Sequence, residues 1–395
     1  MTTYNPSPVT RHPSPVVTGL DALLADPPAH LRGLSKGRVG LLTNPTGVTR
    51  DLRPNFLALR EAGVNLVALF SPEHGLAASA AAGETILSGR EPQTGLPIYS
   101  LYGHTRKPTP EMLAQIDILL FDLQDVGVRF YTYTATLGLA LEACAESGVP
   151  LVVLDRPNPI TGLIVEGPVL DPALQSFVGY GPISLRYGMT LGELARFYHQ
   201  TLSTGADLQV VPLRGWRRGL WGDQTGLPWV PPSPAMPHVS TSTVYPGTCL
   251  LEGTNLSVGR GTALPFELVG APYVDGHALA AALNDLRLEG VRFRAAAFVP
   301  ASDKHAGQNC AGVQIHVTDR ATLRPLTMSL HLISVLRQLF AADFRWRAEH
   351  FDRLIGDAGA RAMLEQQRGV GEIVARWADG AESFSEARRA ALLYG

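Results

Sequence analysis

The chain has 395 residues, enough for two domains at roughly 150 residues each or one large domain with insertions, and enough to bury a sizeable core. Hydrophobic residues make up 45% and charged residues 17%, with 33 Lys and Arg against 35 Asp and Glu, so the net charge of -2 offers no field to hold nucleic acid or an acidic membrane. No stretch reaches the roughly 18 apolar residues of a membrane span, and the scattered Cys144, Cys249 and Cys310 support neither a disulfide framework nor a thiolate zinc site.

The opening MTTYNPSPVTRHPSPVV is polar and proline-rich, without the apolar centre of a signal peptide. The chain as written is expected to stay in the cytoplasm, and to be exported only if its start is truncated. Gly33-Leu-Ser-Lys-Gly37 fits G-x-S-x-G, but it precedes the first strand instead of joining a strand to a helix, so Ser35 reads as part of a turn.

From about residue 16 to 185, short apolar runs alternate with helical stretches, the pattern of βαβ units in a parallel sheet. The runs are RVGLLTN, NLVALFSPE, PIYSLYG, IDILLFDLQD and PLVVLDRPN, each ending in polar residues. Past Gly188 come a helix near Met189 to Thr201, the strand DLQVVPL, and a stretch from Gly226 to Pro246 whose prolines argue for an ordered loop. A strand-like CLLEGTNLSVG follows, then a helix around His277 to Leu288, strands near Val291 to Val299 and Gly312 to Val317, and helices over Thr327 to Leu339 and Ala360 to Ala378. The expected architecture is α/β, a Rossmann-like parallel-sheet domain over 16–187 joined to a smaller α+β domain over 188–395 that closes a cleft.

Ligands of open α/β sheets collect beyond the carboxyl ends of the strands. That edge carries Thr43, Asn44, Glu73, His74, Tyr102, Asp122, Gln124, Asp125, Asp155, Arg156 and Asn158. No glycine-rich dinucleotide loop, Walker loop or H-E-x-x-H motif accompanies it. SPEHGL places an acid and an imidazole at a strand end, where a partly desolvated Glu73 suits a general acid; the same residue could be a structural acid, and His74 a loop orienter. FDLQDVGVRFYTY packs acids, an amide, Arg129 and the tyrosines Tyr131 and Tyr133 into thirteen residues, with Asp125 placed to pair with Arg129. That mixture suits a hydroxyl-rich substrate, because carboxylates and amides bond hydroxyls while tyrosine rings cover apolar ring faces. Glu252-Gly-Thr-Asn-Leu-Ser-Val-Gly-Arg260 adds an acid, Asn255 and Arg260 from the second domain, and carboxylates facing across a cleft are a minimal glycosidase arrangement. His74, Asp122 and Asp125 could in principle hold a metal, without diagnostic spacing. Trp216, Trp221 and Trp229 either stack on sugar or staple the proline-rich loop.

At SPEHGL, DLQDVGVRFYTY, LDRPNPITG and LLEGTNLSVGRGT the sequence resembles the exo-β-N-acetylmuramidase family, the NamZ-type peptidoglycan hexosaminidases, from about Gly33 to the C-terminus. The resemblance implies hydrolysis of the terminal β-1,4-linked N-acetylmuramic acid at the non-reducing end of peptidoglycan-derived MurNAc-GlcNAc saccharides, with no cofactor and with the SPEHG glutamate, here Glu73, as catalytic acid. Candidate catalytic residues are then Glu73, His74, Asp125 and Glu252. Candidate substrate-binding residues are Asn44, Asp122, Gln124, Arg129, Tyr131, Tyr133, Asp155, Arg156, Asn158, Asn255 and Arg260. Recognition of the lactyl carboxylate of muramic acid needs a cation, with Arg129 ranked ahead of Arg156 and Arg260. The second catalytic role stays open between a carboxylate (Asp122, Asp125 or Glu252) and the substrate's own 2-acetamido oxygen. The rival readings are a non-catalytic muropeptide-binding protein and a metal-dependent hydrolase using His74, Asp122 and Asp125. Nucleic acid and membrane partners are not expected, and oligomeric state is open.

Overall fold

The computed structural model describes residues 15–77, 83–84 and 87–395; most of the proline-rich opening segment lies outside them. Among the described residues, seven strands form the main sheet: β1 (Val39–Thr43), β2 (Leu66–Ser71), β3 (Gly89–Arg90), β4 (Pro97–Ser100), β5 (Ile118–Asp122), β6 (Leu151–Leu154) and, after two strands outside it, β9 (Leu208–Val211). Their order is β3-β4-β2-β1-β5-β6-β9, parallel throughout except for β3. From β1 the chain steps outward through β2 and β4, then returns to lay β5 and β6 on the other flank, so the direction of winding reverses between β1 and β5. The central strands β1, β5 and β6 are buried almost throughout, which is why their sequences read as continuous apolar runs.

The helix Tyr133–Ser147 follows β5, with nearly every residue from Tyr133 to Cys144 buried, and stops at Gly148 in the left-handed region at φ 65°. Leu191–Thr201 starts at a reciprocal cap in which Thr190 accepts from the Glu193 amide and the Glu193 carboxylate accepts from the Thr190 amide. This helix leads into β9, which pairs with β6. The parallel sheet therefore extends past residue 188, where a change of domain was expected.

The antiparallel pair β7 (Glu166–Val169) and β8 (Ser184–Arg186) forms a separate two-stranded sheet that packs against the helix Ala378–Ala387. In the C-terminal half, β10 (Leu268–Ala271), β11 (Val291–Phe298) and β12 (Cys310–Val317) form an antiparallel sheet in the order β10-β12-β11. Helix Gly276–Asp285 packs on this sheet, and Pro325–Leu339 packs against that helix and against the helix Val239–Thr248. One hydrophobic core runs from Phe70, Phe121 and Leu137 through Tyr245 and Val269 to Leu330 and Phe351, so the two halves share a continuous interior.

Three local expectations change. CLLEG is a 3-10 helix, Cys249–Gly253, and not a strand. Residues Val239–Thr248 form a helix despite Pro246, because Thr241 to Thr248 are buried against Pro325–Leu339, and a Cβ on Gly247 would come within 1.9 Å of the Pro325 carbonyl oxygen. Tertiary burial overrides local propensity there. The helix expected over Ala360 to Ala378 is broken into Ala358–Glu365 and Val370–Ala375, with a further helix at Ala378–Ala387; Gln367 stands at φ 57° in the first break. No helix among the described residues is long and apolar enough to cross a membrane.

Candidate active site

A cavity of about 880 Å³ opens between the ends of β2 and β4 and the C-terminal half, within the size range of small-ligand sites. Glu73 and His74 leave the end of β2 and line it. His74 at φ 70° and Gly75 at φ 78° are both left-handed and turn the chain sharply after the acid. Glu73 is 7% exposed. Its Oε1 accepts the Gly83 amide at 3.1 Å and its Oε2 accepts the Thr132 hydroxyl at 2.6 Å, fixing the carboxyl group in one orientation. Thr132 precedes the helix Tyr133–Ser147, so the scaffold that follows β5 holds the acid that follows β2. The Tyr102 hydroxyl faces the same carboxylate; burial and the Glu73 charge together push it up to about 12.

The floor is aromatic. Tyr245 meets Phe130, Tyr131 and Phe266 edge-on, at centroid distances of 5.3, 6.0 and 4.6 Å. These rings join the Glu73 side to the wall made by the C-terminal half. The Tyr131 hydroxyl and the Ser176 Oγ are buried in the cavity lining and make no hydrogen bond within the protein, a state that a polar ligand relieves.

That second wall carries Glu252 and Arg260, joined at 2.5 Å between Oε1 and Nε, with Arg260 stacked 4.9 Å over the Phe266 ring. Burial alone would push the Glu252 carboxyl up; the Arg260 guanidinium and the Lys304 ammonium outweigh it and hold the carboxyl below its ordinary range. Lys304 donates to the carbonyls of Leu251, Glu252 and Leu256. Burial brings its ammonium down to about 8 against the pull of Glu252. Arg347 and Arg353 extend the cationic lining from the helix Ala348–Ile355 and its N-cap, and His350 stands between them with burial pulling its imidazole below its ordinary range.

Of the residues expected at the site, Glu73, His74, Tyr131, Glu252 and Arg260 line the cavity. The others belong to the scaffold, each for a visible reason. Asp122 is fully buried and accepts Arg156 Nε at 2.6 Å, Arg156 Nη2 at 3.1 Å and Asn55 Nδ2 at 2.8 Å. This ion pair fills the crevice between β1 and β5 where ligands of such sheets usually bind. Asp125 does not pair with Arg129. It accepts from the Gly127 amide and the Tyr187 hydroxyl, and burial raises it to about 7. Arg129, ranked first for the lactyl carboxylate, is 0% exposed and donates to the carbonyls of Pro168, Ile183, Leu354 and Ile355, tying the two halves together; burial without a carboxylate partner pulls it down to about 9.

Asp155 receives Thr190, Gly192 and Tyr394, and burial raises it to about 7. Asn158 donates to the Met189 carbonyl, Asn44 to the Tyr133 hydroxyl, and Tyr133 to the Pro232 carbonyl. Gln124 binds the carbonyls of Asp125 and Pro157, and Asn255 binds Asp343, Tyr273 and Arg345. With Asp122 and Asp125 so engaged, the metal set His74, Asp122 and Asp125 does not assemble, and no group of metal-binding side chains forms among the described residues. Trp216 packs on Tyr394, Trp221 lies under Arg320, and Trp229 donates to the Met236 carbonyl; these are staples, and none of the three is among the lining residues of the cavity.

Several lining residues escaped the sequence reading. Thr132 and Phe130 sat unselected inside FDLQDVGVRFYTY, and Tyr102 was noted at the edge without a role. Arg347, His350 and Arg353, at three-residue spacing in RAEHFDR, form a basic helical face that periodicity could have exposed. Phe177, Tyr245 and Lys304 carried no local signal.

Residues 39–240 match the family model for the N-terminal part of the exo-β-N-acetylmuramidase NamZ, and residues 243–394 match the model for its C-terminal part. The chain is 47% identical over 381 residues to the peptidoglycan β-N-acetylmuramidase NamZ of Bacillus subtilis, covering 96% of this chain and 91% of that one. Crystal structures of two DUF1343 family proteins from Bacteroides fragilis superpose with TM-scores of 0.89 and 0.77 at 37% and 32% identity, each over 96% of this chain and 99% of the other. A match to both halves, together with near-complete coverage by a relative at this identity, shows that the chain belongs to the NamZ exo-β-N-acetylmuramidase family.

Proposed function

We propose that this cavity releases the terminal β-1,4-linked N-acetylmuramic acid from the non-reducing end of peptidoglycan fragments. The observation that carries the reading is Glu73: a buried carboxyl oriented by Thr132 and Gly83, over an aromatic floor, opposite the ionised Glu252. Glu73 acts as the general acid that protonates the glycosidic oxygen as the bond to the anomeric carbon breaks. Of the carboxylates weighed for the second role, Glu252 is the one that lines the cavity. Its negative charge, kept by Arg260, suits stabilisation of positive charge developing at the anomeric centre, whether water or the substrate's acetamido oxygen attacks. The hexosamine ring lies over Tyr131, Tyr245 and Phe266, and the lactyl carboxylate meets the wall of Arg260, Lys304, Arg347 and Arg353. His74 positions the turn that carries Glu73.

The test is release of free N-acetylmuramic acid from the β-1,4 MurNAc-GlcNAc disaccharide by the native chain and by Glu73→Gln. Release by the native chain alone supports the reading. No release from folded protein over a range of pH and chain length overturns it in favour of a sugar-binding protein.

A further inference from the structure

Tyr102 and Arg106, from the loop that follows β4, meet Phe177, from the loop that precedes β8, at one side of the cavity. The Tyr102 and Phe177 rings lie 5.7 Å apart at 40° to one another. The Arg106 guanidinium stands 4.5 Å from the Phe177 centroid and 5.5 Å from that of Tyr102. This cluster is separate from the Tyr131-Tyr245-Phe266 floor. Its position relative to the acid gives it a role. The Tyr102 hydroxyl faces Glu73, and a general acid must stand beside the oxygen that departs with the leaving sugar. A sugar that leaves on the Tyr102 side of Glu73 meets the Tyr102 and Phe177 rings. Half-buried aromatic rings offer an apolar face to the C–H face of a pyranose, and the guanidinium above them donates to its hydroxyls.

We infer that Tyr102, Phe177 and Arg106 form the subsite for the leaving sugar, so that they select a pyranose on the reducing side of the scissile bond while the cationic wall selects the muramic acid. The inference rests on Glu73 being the acid of the proposed reaction. It makes Phe177 a specificity-determining residue for the disaccharide over the monosaccharide.

The experiment measures binding calorimetrically in a Glu73→Gln background, so that no ligand is consumed, using MurNAc-β-1,4-GlcNAc and MurNAc alone as the two probes. Phe177→Ala should weaken disaccharide binding about tenfold and leave MurNAc binding unchanged, and Phe177→Trp should restore the difference. Arg106→Ala, at an exposed position that does not endanger folding, should give a smaller loss of the same selectivity. Equal weakening of both probes, or of neither, in both alanine variants overturns the subsite. Release of MurNAc by the chain with native Glu73 is read separately: selective weakening without any release would remove the proposed reaction and leave a disaccharide-binding platform, whereas release without selectivity would remove the platform alone.

Discussion

Replacing Glu73 by Gln separates chemistry from architecture, because the two oxygens of the carboxyl group have different partners. Oε1 faces the amide of Gly83, which can only donate, so that position must stay an acceptor. Oε2 faces the Thr132 hydroxyl, which rotates to accept as readily as it donates. A glutamine therefore fits with its carbonyl toward Gly83 and its NH2 toward Thr132, and both of these hydrogen bonds are kept, while the Tyr102 hydroxyl turns to whichever atom faces it. The expected stability change is within about 1 kcal/mol. Loss of general acid catalysis lowers turnover by about 10² to 10⁴, which is about 3 to 5 kcal/mol of activation free energy. The assay pairs MurNAc release from the disaccharide with a thermal melt of the same preparation. Turnover within about threefold of the native value refutes Glu73 as the acid. A large drop in melting temperature refutes the hydrogen-bond argument, since the catalytic loss could then be unfolding.

Arg260→Met leaves the partly buried Glu252 carboxylate without its main partner and should cost about 1 to 3 kcal/mol of stability, read by denaturant titration, as well as weakening binding of the anionic sugar; native-like stability would mean Lys304 alone keeps Glu252 ionised. Lys304, brought down to about 8 in the folded chain from an ordinary 10.5, binds less proton when folded than when unfolded between those values. Its contribution to stability therefore rises with pH from about 8 to 10 while its charge leaves the cavity. KM for the anionic disaccharide should climb above pH 8, and Lys304→Arg should flatten that rise; a pH-independent KM in the native chain refutes the role. Asp122→Asn strips Arg156 of its buried carboxylate and should destabilise by about 3 to 5 kcal/mol while kcat/KM of the folded fraction stays native. A selective loss of kcat/KM would return Asp122 to the site.

Strand ends were legible because parallel strands buried on both faces leave continuous apolar runs, and β1, β2, β5 and β6 appear where RVGLLTN, NLVALFSPE, IDILLFDLQD and PLVVLDRPN predict them. Glu73 was legible for the same reason: it follows such a run directly. Sequence spacing could not tell which strand ends face ligand and which are roofed by crossing chain. Asp122, Asp125 and Asp155 look like Glu73 in the sequence, a carboxylate after an apolar run, yet each is spent on loops that close over β5 and β6.

The sequence by itself determined the parallel sheet, the family, and the placing of a carboxyl group, Glu73, just past the end of β2, since each depends on local periodicity or on contiguous motifs. Only the tertiary structure decided that the crevice between β1 and β5 is filled by Asp122 and Arg156, that Arg129 is a tether, and that the cationic wall comes from Lys304 and the helix Ala348–Ile355. Those outcomes depend on which distant segments compete for each buried polar group. A buried charge takes the partner that desolvation forces on it, and that partner lies as far along the chain as Ile355 lies from Arg129.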